Sequence, residues 1–119
     1  MGKILNAAEI YTVNLDPTIG DEIRKMRPVV ILNSGHAKHL KLAIVVPITQ
    51  WKPHWEQNPF FVVLTSDMLN GLEKKSVVDC FQIRAVSHQR FMNRLGVVSQ
   101  YDLDRIKQSI ALILDIDAE

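Results

Sequence analysis

Cysteine is almost missing from this chain: Cys80 stands alone among 119 residues. No intrachain disulfide can staple the fold, and the composition suits a reducing compartment. Missing too is any excess of charge of one sign. Fourteen Lys and Arg face thirteen Asp and Glu, a formal net charge of +1. That excludes a protein holding polyanions through bulk charge, so a nucleic-acid partner has to be met by a local patch. No apolar stretch reaches the ~20 residues of a membrane helix, and the opening MGKILNAAEIY lacks the apolar core of a secretory signal. These absences predict a cytoplasmic protein without membrane contact. Repeats and low-complexity tracts are absent as well. What remains is 47% hydrophobic and 23% charged, enough to bury one core, and the length predicts one domain over residues 1–119.

Most of the chain reads as short strands. Ile10 to Leu15 is β-branched and aromatic and stops at the turn signal Asp16-Pro17. Pro28 to Leu32 is a continuous apolar run, Asn33 to His39 a loop, and Leu40 to Ile48 a buried-type strand with Pro47 near its end. Thr49 to Pro59 reads as a polar loop holding both tryptophans, and Phe60 to Thr65 as a further strand. Ser76 to Val86 reads as one long strand. Alternation puts Val77, Phe81, Ile83 and Ala85 on a core side and Val78, Cys80, Gln82 and Arg84 on the other. Ser99 is a good N-cap with Asp102 three residues on. Leu103, Ile106, Ile110, Ile113 and Leu114 then follow one helical face. Strands closed by a terminal helix predict a mainly β, α+β fold: a small, strongly bent sheet or half-open barrel with a C-terminal helix.

The segment Gly20 to Pro28, GDEIRKMRP, crowds two acids and three bases where a plain chain reversal would use Gly, Asn, Asp and Ser. Arg24, Lys25 and Arg27 lie in it, Lys52 follows the Leu40 strand, and Arg84 projects from the Ser76 strand. Each alone is an ordinary solvated charge. Converging in a bent sheet, they build a positive pocket with the Thr49 hydroxyl and the Gln50 and Gln82 amides, suited to a phosphodiester. His36, His39, His54 and His88 form no helical i, i+4 pair and have no Cys-x-x-Cys beside them, so they read as solvated loop residues and no metal site is expected. Cys80 reads as a small buried hydrophobe. Trp51 and Trp55 either stack unpaired bases or close one edge of the core.

Four segments resemble one family in order and spacing. IYTVNLDPTIGDEIRKMRPVVIL (10–32), IVVPIT (44–49), CFQIRAVSHQRF (80–91) and RLGVVSQYDLDRIKQSIALIL (94–114) are similar to successive motifs of the MazF/Kid/PemK toxins, the ribonuclease half of bacterial toxin–antitoxin pairs. The resemblance implies a compact SH3-like or CcdB-like barrel with a C-terminal helix, acting as a homodimer. It implies metal-independent, cofactor-free cleavage of single-stranded RNA at a short sequence, leaving 2′,3′-cyclic phosphate and 5′-hydroxyl ends. A cognate antitoxin protein that covers the RNA site is implied too. The family's RP arginine falls on Arg27 and its VVPI threonine on Thr49, which makes them the catalytic pair. Glu22, Arg24, Lys25, Gln50, Gln82 and Arg84 become RNA contacts, and GDEIRKMRP a mobile loop over the site.

Departures from the family pattern matter for the mechanism. Phe81 stands where the family often has an acid, and alternation turns it into the core; Ala85 and Ser87 replace Thr and Asp. The general base is therefore open: Glu22 or Asp79 substitutes, or no side chain serves. Two other readings stay open: a CcdB-like gyrase inhibitor on the same barrel, and a degenerate member that binds RNA without cutting it.

Overall fold

The computed structural model describes residues 4–37 and 39–117. Residues 1–3, 38 and 118–119, which the N-terminal, Asn33 to His39 loop and single-domain expectations include, lie outside them. Among the described residues seven strands form one antiparallel sheet: β1 (Glu9–Asn14), β2 (Met26–Ile31), β3 (Leu42–Gln50), β4 (Phe61–Leu64), β5 (Ser76–Asp79), β6 (Arg84–Ser87) and β7 (Phe91–Val97). The order is β4-β5-β3-β2-β1-β7, with β6 also on β3. A helix, α1 (Gln100–Leu114), follows.

The long strand β3 explains the bend. Its second half pairs with β5 from Ile48 to Gln50, and its first half pairs with β6 from Leu42 to Val45. Its other edge meets β2 between Val45 and Pro47. Pro47 has no amide hydrogen to give, and it stands at the last β2 pairing, where the sheet changes partners. Both faces are buried in consequence. Ile10, Val30, Val46, Ile48 and Val78 pack with Leu103 and Ile106 of the helix. Their neighbours Tyr11, Val13, Val29, Ile31 and Val45 form a second cluster with Val86 and Phe91 inside the curl. The sheet bends without closing.

The expected single strand from Ser76 to Val86 is broken. Cys80–Gln82 is a 3-10 turn, because the Asp79 carboxylate caps it by accepting from the Phe81 amide at 3.1 Å. Past this turn the alternation reverses. Phe81 is 61% exposed and Ala85 is exposed, while Cys80 and Val86 are buried; the core-facing assignments of Phe81 and Ala85 are corrected. Strand β7 has no counterpart among the strands expected from the sequence. It is an edge strand whose central residues are exposed, so it lacks the apolar signature. It is held close by loop 65–72, where Leu69 O accepts from Val97 N at 3.0 Å. A Cβ on Gly96 would lie 2.3 Å from Leu69 O, so only glycine fits there.

The helix begins as expected, with Ser99 Oγ accepting from Asp102 N at 3.1 Å. Ile106 is fully buried, and Ile110 and Ile113 pack partly against the core. Leu114, expected on the same face, is 55% exposed, because Asp115 turns left-handed and ends the helix beyond the sheet. Arg105 Nη1 donates to Val63 O (3.0 Å) and Ser109 Oγ to Pro59 O (2.8 Å), docking the helix on β4 and the segment just before it.

Candidate functional site

The charged loop between β1 and β2 is fastened along its length. The Asp16 carboxylate accepts from Lys25 N at 3.1 Å, and Leu15 N donates to Lys25 O at 2.9 Å, closing the loop at its base. Lys25 sits there at φ +69°, a conformation that non-glycine residues seldom adopt. Arg90 donates to the Asn14 and Asp16 carbonyls from below. Glu22 Oε1 accepts from Ile19 N at 2.6 Å, and Arg24 Nη2 folds back onto Gly20 O at 3.1 Å. Both side chains therefore serve the loop's own geometry in this conformation. Gln82 holds the tip: its Oε1 accepts from Ile23 N (2.7 Å), and its Nε2 donates to Asp21 O (3.3 Å) and Asp79 Oδ2 (3.0 Å).

That clasp separates two adjoining clefts. One, of about 360 Å³, is lined by Thr49, Gln50, Lys52, Asp79, Gln82 and the loop's Asp21. Trp55 and Phe61 form its aromatic wall, stacked with centroids 4.0 Å apart and planes at 15°. The other, of about 510 Å³, is lined by Asp21, Glu22, Phe81, Gln82 and Arg84. Thr49, Gln50, Lys52 and Gln82 thus meet as the sequence suggested, with Arg84 next door. Arg24, Lys25 and Arg27 line neither cleft. Nor is the site purely positive, since Asp21 and Asp79 share it. Asp21 and the Phe61 wall were not singled out from sequence: Asp21 looks like any loop acid, and Phe61 like core.

Arg27 and Thr49 share one face of the sheet. Arg27 has the parity of Val29 and Ile31, and Thr49 that of Ala43 and Val45, all inside the curl. The β2–β3 register pairs Val29 with Pro47; continued by two residues it brings Arg27 level with Thr49. Arg27 Nε is buried and has no hydrogen-bond partner. A donor left so costs roughly 1–3 kcal/mol, more on a charged group; among the described residues His88 Nε2 is the other buried side-chain nitrogen without a partner. No partner of the Thr49 hydroxyl or of the Arg84 and Lys52 head groups is found among the described residues.

Other candidates resolve into structure. Burial pushes the Cys80 thiol up to about 11, with the nearby Asp79 carboxylate adding to the effect, so it is no thiolate near neutrality. Trp51 Nε1 donates to Glu56 Oε2 at 2.5 Å, and Lys75 covers its ring at 4.2 Å. The described residues contain no cluster of three or more metal-binding side chains, and no helix among them is long and apolar enough to cross a membrane.

The family described as "PemK-like, MazF-like toxin of type II toxin-antitoxin system" matches residues 6–114. The chain is 28% identical to Endoribonuclease MazF9 of Mycobacterium tuberculosis, over 95% of this chain and 98% of that one. Its fold matches the crystal structure of MazF from Deinococcus radiodurans with a TM-score of 0.80 at 20% identity, covering 95% and 98% of the two chains. It also matches an endoribonuclease in complex with its cognate antitoxin from a mycobacterial species, with a TM-score of 0.74 at 16% identity over 95% and 97%.

Proposed function

Because this chain belongs to the PemK-like, MazF-like toxin family of type II toxin–antitoxin systems, we propose that it is an endoribonuclease toxin that cleaves single-stranded RNA at a short sequence. The observation that carries this reading is Arg27: its buried guanidinium Nε has no acceptor, and it lies on the same sheet face as the unpartnered Thr49 hydroxyl, two residues beyond the last β2–β3 pair. Attack of a ribose 2′-hydroxyl on the neighbouring phosphorus puts a second negative charge on the phosphorane. Arg27, always protonated, stabilises that charge, and Thr49 donates to a non-bridging oxygen. Lys52, Gln50 and Arg84 hold the strand through phosphate and base contacts. Glu22, Arg24 and Lys25 shape the loop beside it, and Gln82 fixes that loop. The products are a 2′,3′-cyclic phosphate and a 5′-hydroxyl, and neither metal nor cofactor takes part.

The same reading makes the protein a single-domain, cytoplasmic homodimer held in check by a cognate antitoxin, as befits the solved relative bound to its own antitoxin. Incubating the pure protein with a long RNA in EDTA tests it. Discrete fragments with cyclic-phosphate ends support the reading. A mobility shift without cleavage, or gyrase inhibition alone, overturns it.

A further inference from the structure

Asp79 ends β5 and is only 6% exposed, yet it lines the cleft beside Thr49. A buried carboxylate is costly unless hydrogen-bonded. Here Oδ1 accepts from Phe81 N at 3.1 Å and Oδ2 from Gln82 Nε2 at 3.0 Å, and the Gln82 backbone amide is a third donor to the carboxylate, which still leaves it acceptor capacity. No cation neutralises it: none of the ion pairs among the described residues includes Asp79. The charged or titratable groups facing it are Asp21 on the loop, Lys52 past β3, and the Cys80 thiol on its own turn, while β4 opposite presents Phe61. A capping role alone would not require an uncompensated acid in a cleft. An asparagine would cap the turn as well, although its single acceptor oxygen could not also serve Gln82 Nε2.

We infer that Asp79 is the general base of RNA cleavage, taking the proton of the attacking 2′-hydroxyl; the inference rests on the endoribonuclease reading above. The 2′-oxygen bonds to phosphorus as its proton passes to Asp79, and the bond from phosphorus to the 5′-oxygen breaks. That oxygen leaves with its electron pair and takes a proton from water, and Asp79 returns its own proton to water. In-line displacement sets the attacking and leaving oxygens on opposite sides of phosphorus, so one carboxyl serves only one of them. Other groups fit less well. Arg27 cannot give up its proton, Glu22 lines the other cleft and not the one that holds Thr49, and Asp21 is exposed on the loop. Burial also raises the Asp79 pKa, against the lowering effect of its hydrogen bonds from Phe81 and Gln82, and this moves it toward the range where a base works best near neutrality.

The experiment is single-turnover cleavage in EDTA across pH for the wild type, Asp79→Asn and Gln82→Ala, with binding of an RNA that is 2′-deoxy at the cut site. The wild type should lose rate tenfold per pH unit below the Asp79 pKa. Asp79→Asn should bind the deoxy RNA normally, cut roughly 10²–10⁴-fold more slowly, and show no acid limb. Gln82→Ala, which breaks the clasp but keeps the carboxylate, should keep the limb. Should Asp79→Asn fail to fold, Asp79→Glu replaces it and should shift the limb's midpoint. A wild type that cuts RNA while Asp79→Asn retains the limb or the rate overturns this inference alone. So does loss of deoxy-RNA binding, disappearance of the limb in Gln82→Ala, or an unmoved profile in Asp79→Glu. A wild type that cuts no RNA overturns the ribonuclease reading as well.

Discussion

The amide of Ile23 donates to Gln82 Oε1 at 2.7 Å, joining the charged loop to the turn after β5 across 59 residues of chain. Both hydrogens of the Gln82 amide are also engaged, by Asp21 O and Asp79 Oδ2. A glutamine so occupied has no donor left to read a base edge.

Gln82→Ala should therefore act on the loop and not on sequence choice. It strands the partly buried Ile23 amide, at about 1–3 kcal/mol, and should lower the melting temperature and slow cleavage. Sequencing the cut ends should return the wild-type motif. A relaxed motif would show that Gln82 leaves the loop to meet RNA.

The helix offers a paired comparison. Ile106 is fully enclosed between sheet and helix, so Ile106→Ala should cost about 2–5 kcal/mol in urea unfolding. Leu114 lies beyond the sheet, and Leu114→Ala should stay within about 0.5 kcal/mol. A loss at Leu114 as large as at Ile106 would mean that a second protomer covers it.

Cys80 should be inert. With its thiol pushed up to about 11 by burial, it should resist alkylation at neutral pH until the protein unfolds, whatever the RNA-cleaving activity. The raised value also fixes a sign. The folded state holds the thiol proton more tightly than the unfolded chain, so this group's stabilisation is complete below the ordinary thiol value. It falls away as pH rises through about 11. Denaturant midpoints measured across that alkaline range should decline, and Cys80→Ala should remove that part of the decline.

Local patterns made β1, β2, β3 and the helix start legible, because β-branched runs and the Ser99 cap carry their own signals. The break at Cys80–Gln82 was not legible: no Gly or Pro marks it, and it depends on the Asp79 side chain bonding back to Phe81 N. That one missed turn reversed the facing of Phe81 and Ala85. Strand β7 was hidden by the polar Asn93-Arg94 pair at an exposed edge. Arg27 and Thr49 followed from motif position; strand parity puts them on one face of the sheet, though only Thr49 lines the cleft. The clasp by Gln82 is a contact between distant segments, which spacing along the chain does not encode.

The most direct test is the single-turnover cleavage rate of Arg27→Ala in EDTA, with its fold checked by circular dichroism. Losing a preorganised oxyanion donor costs about 2.7–4 kcal/mol, or a factor of roughly 10²–10³. Arg27→Ala should be slower by at least that factor, with Thr49→Ala in the same range. A folded Arg27→Ala protein that cuts RNA at the wild-type rate would contradict the account.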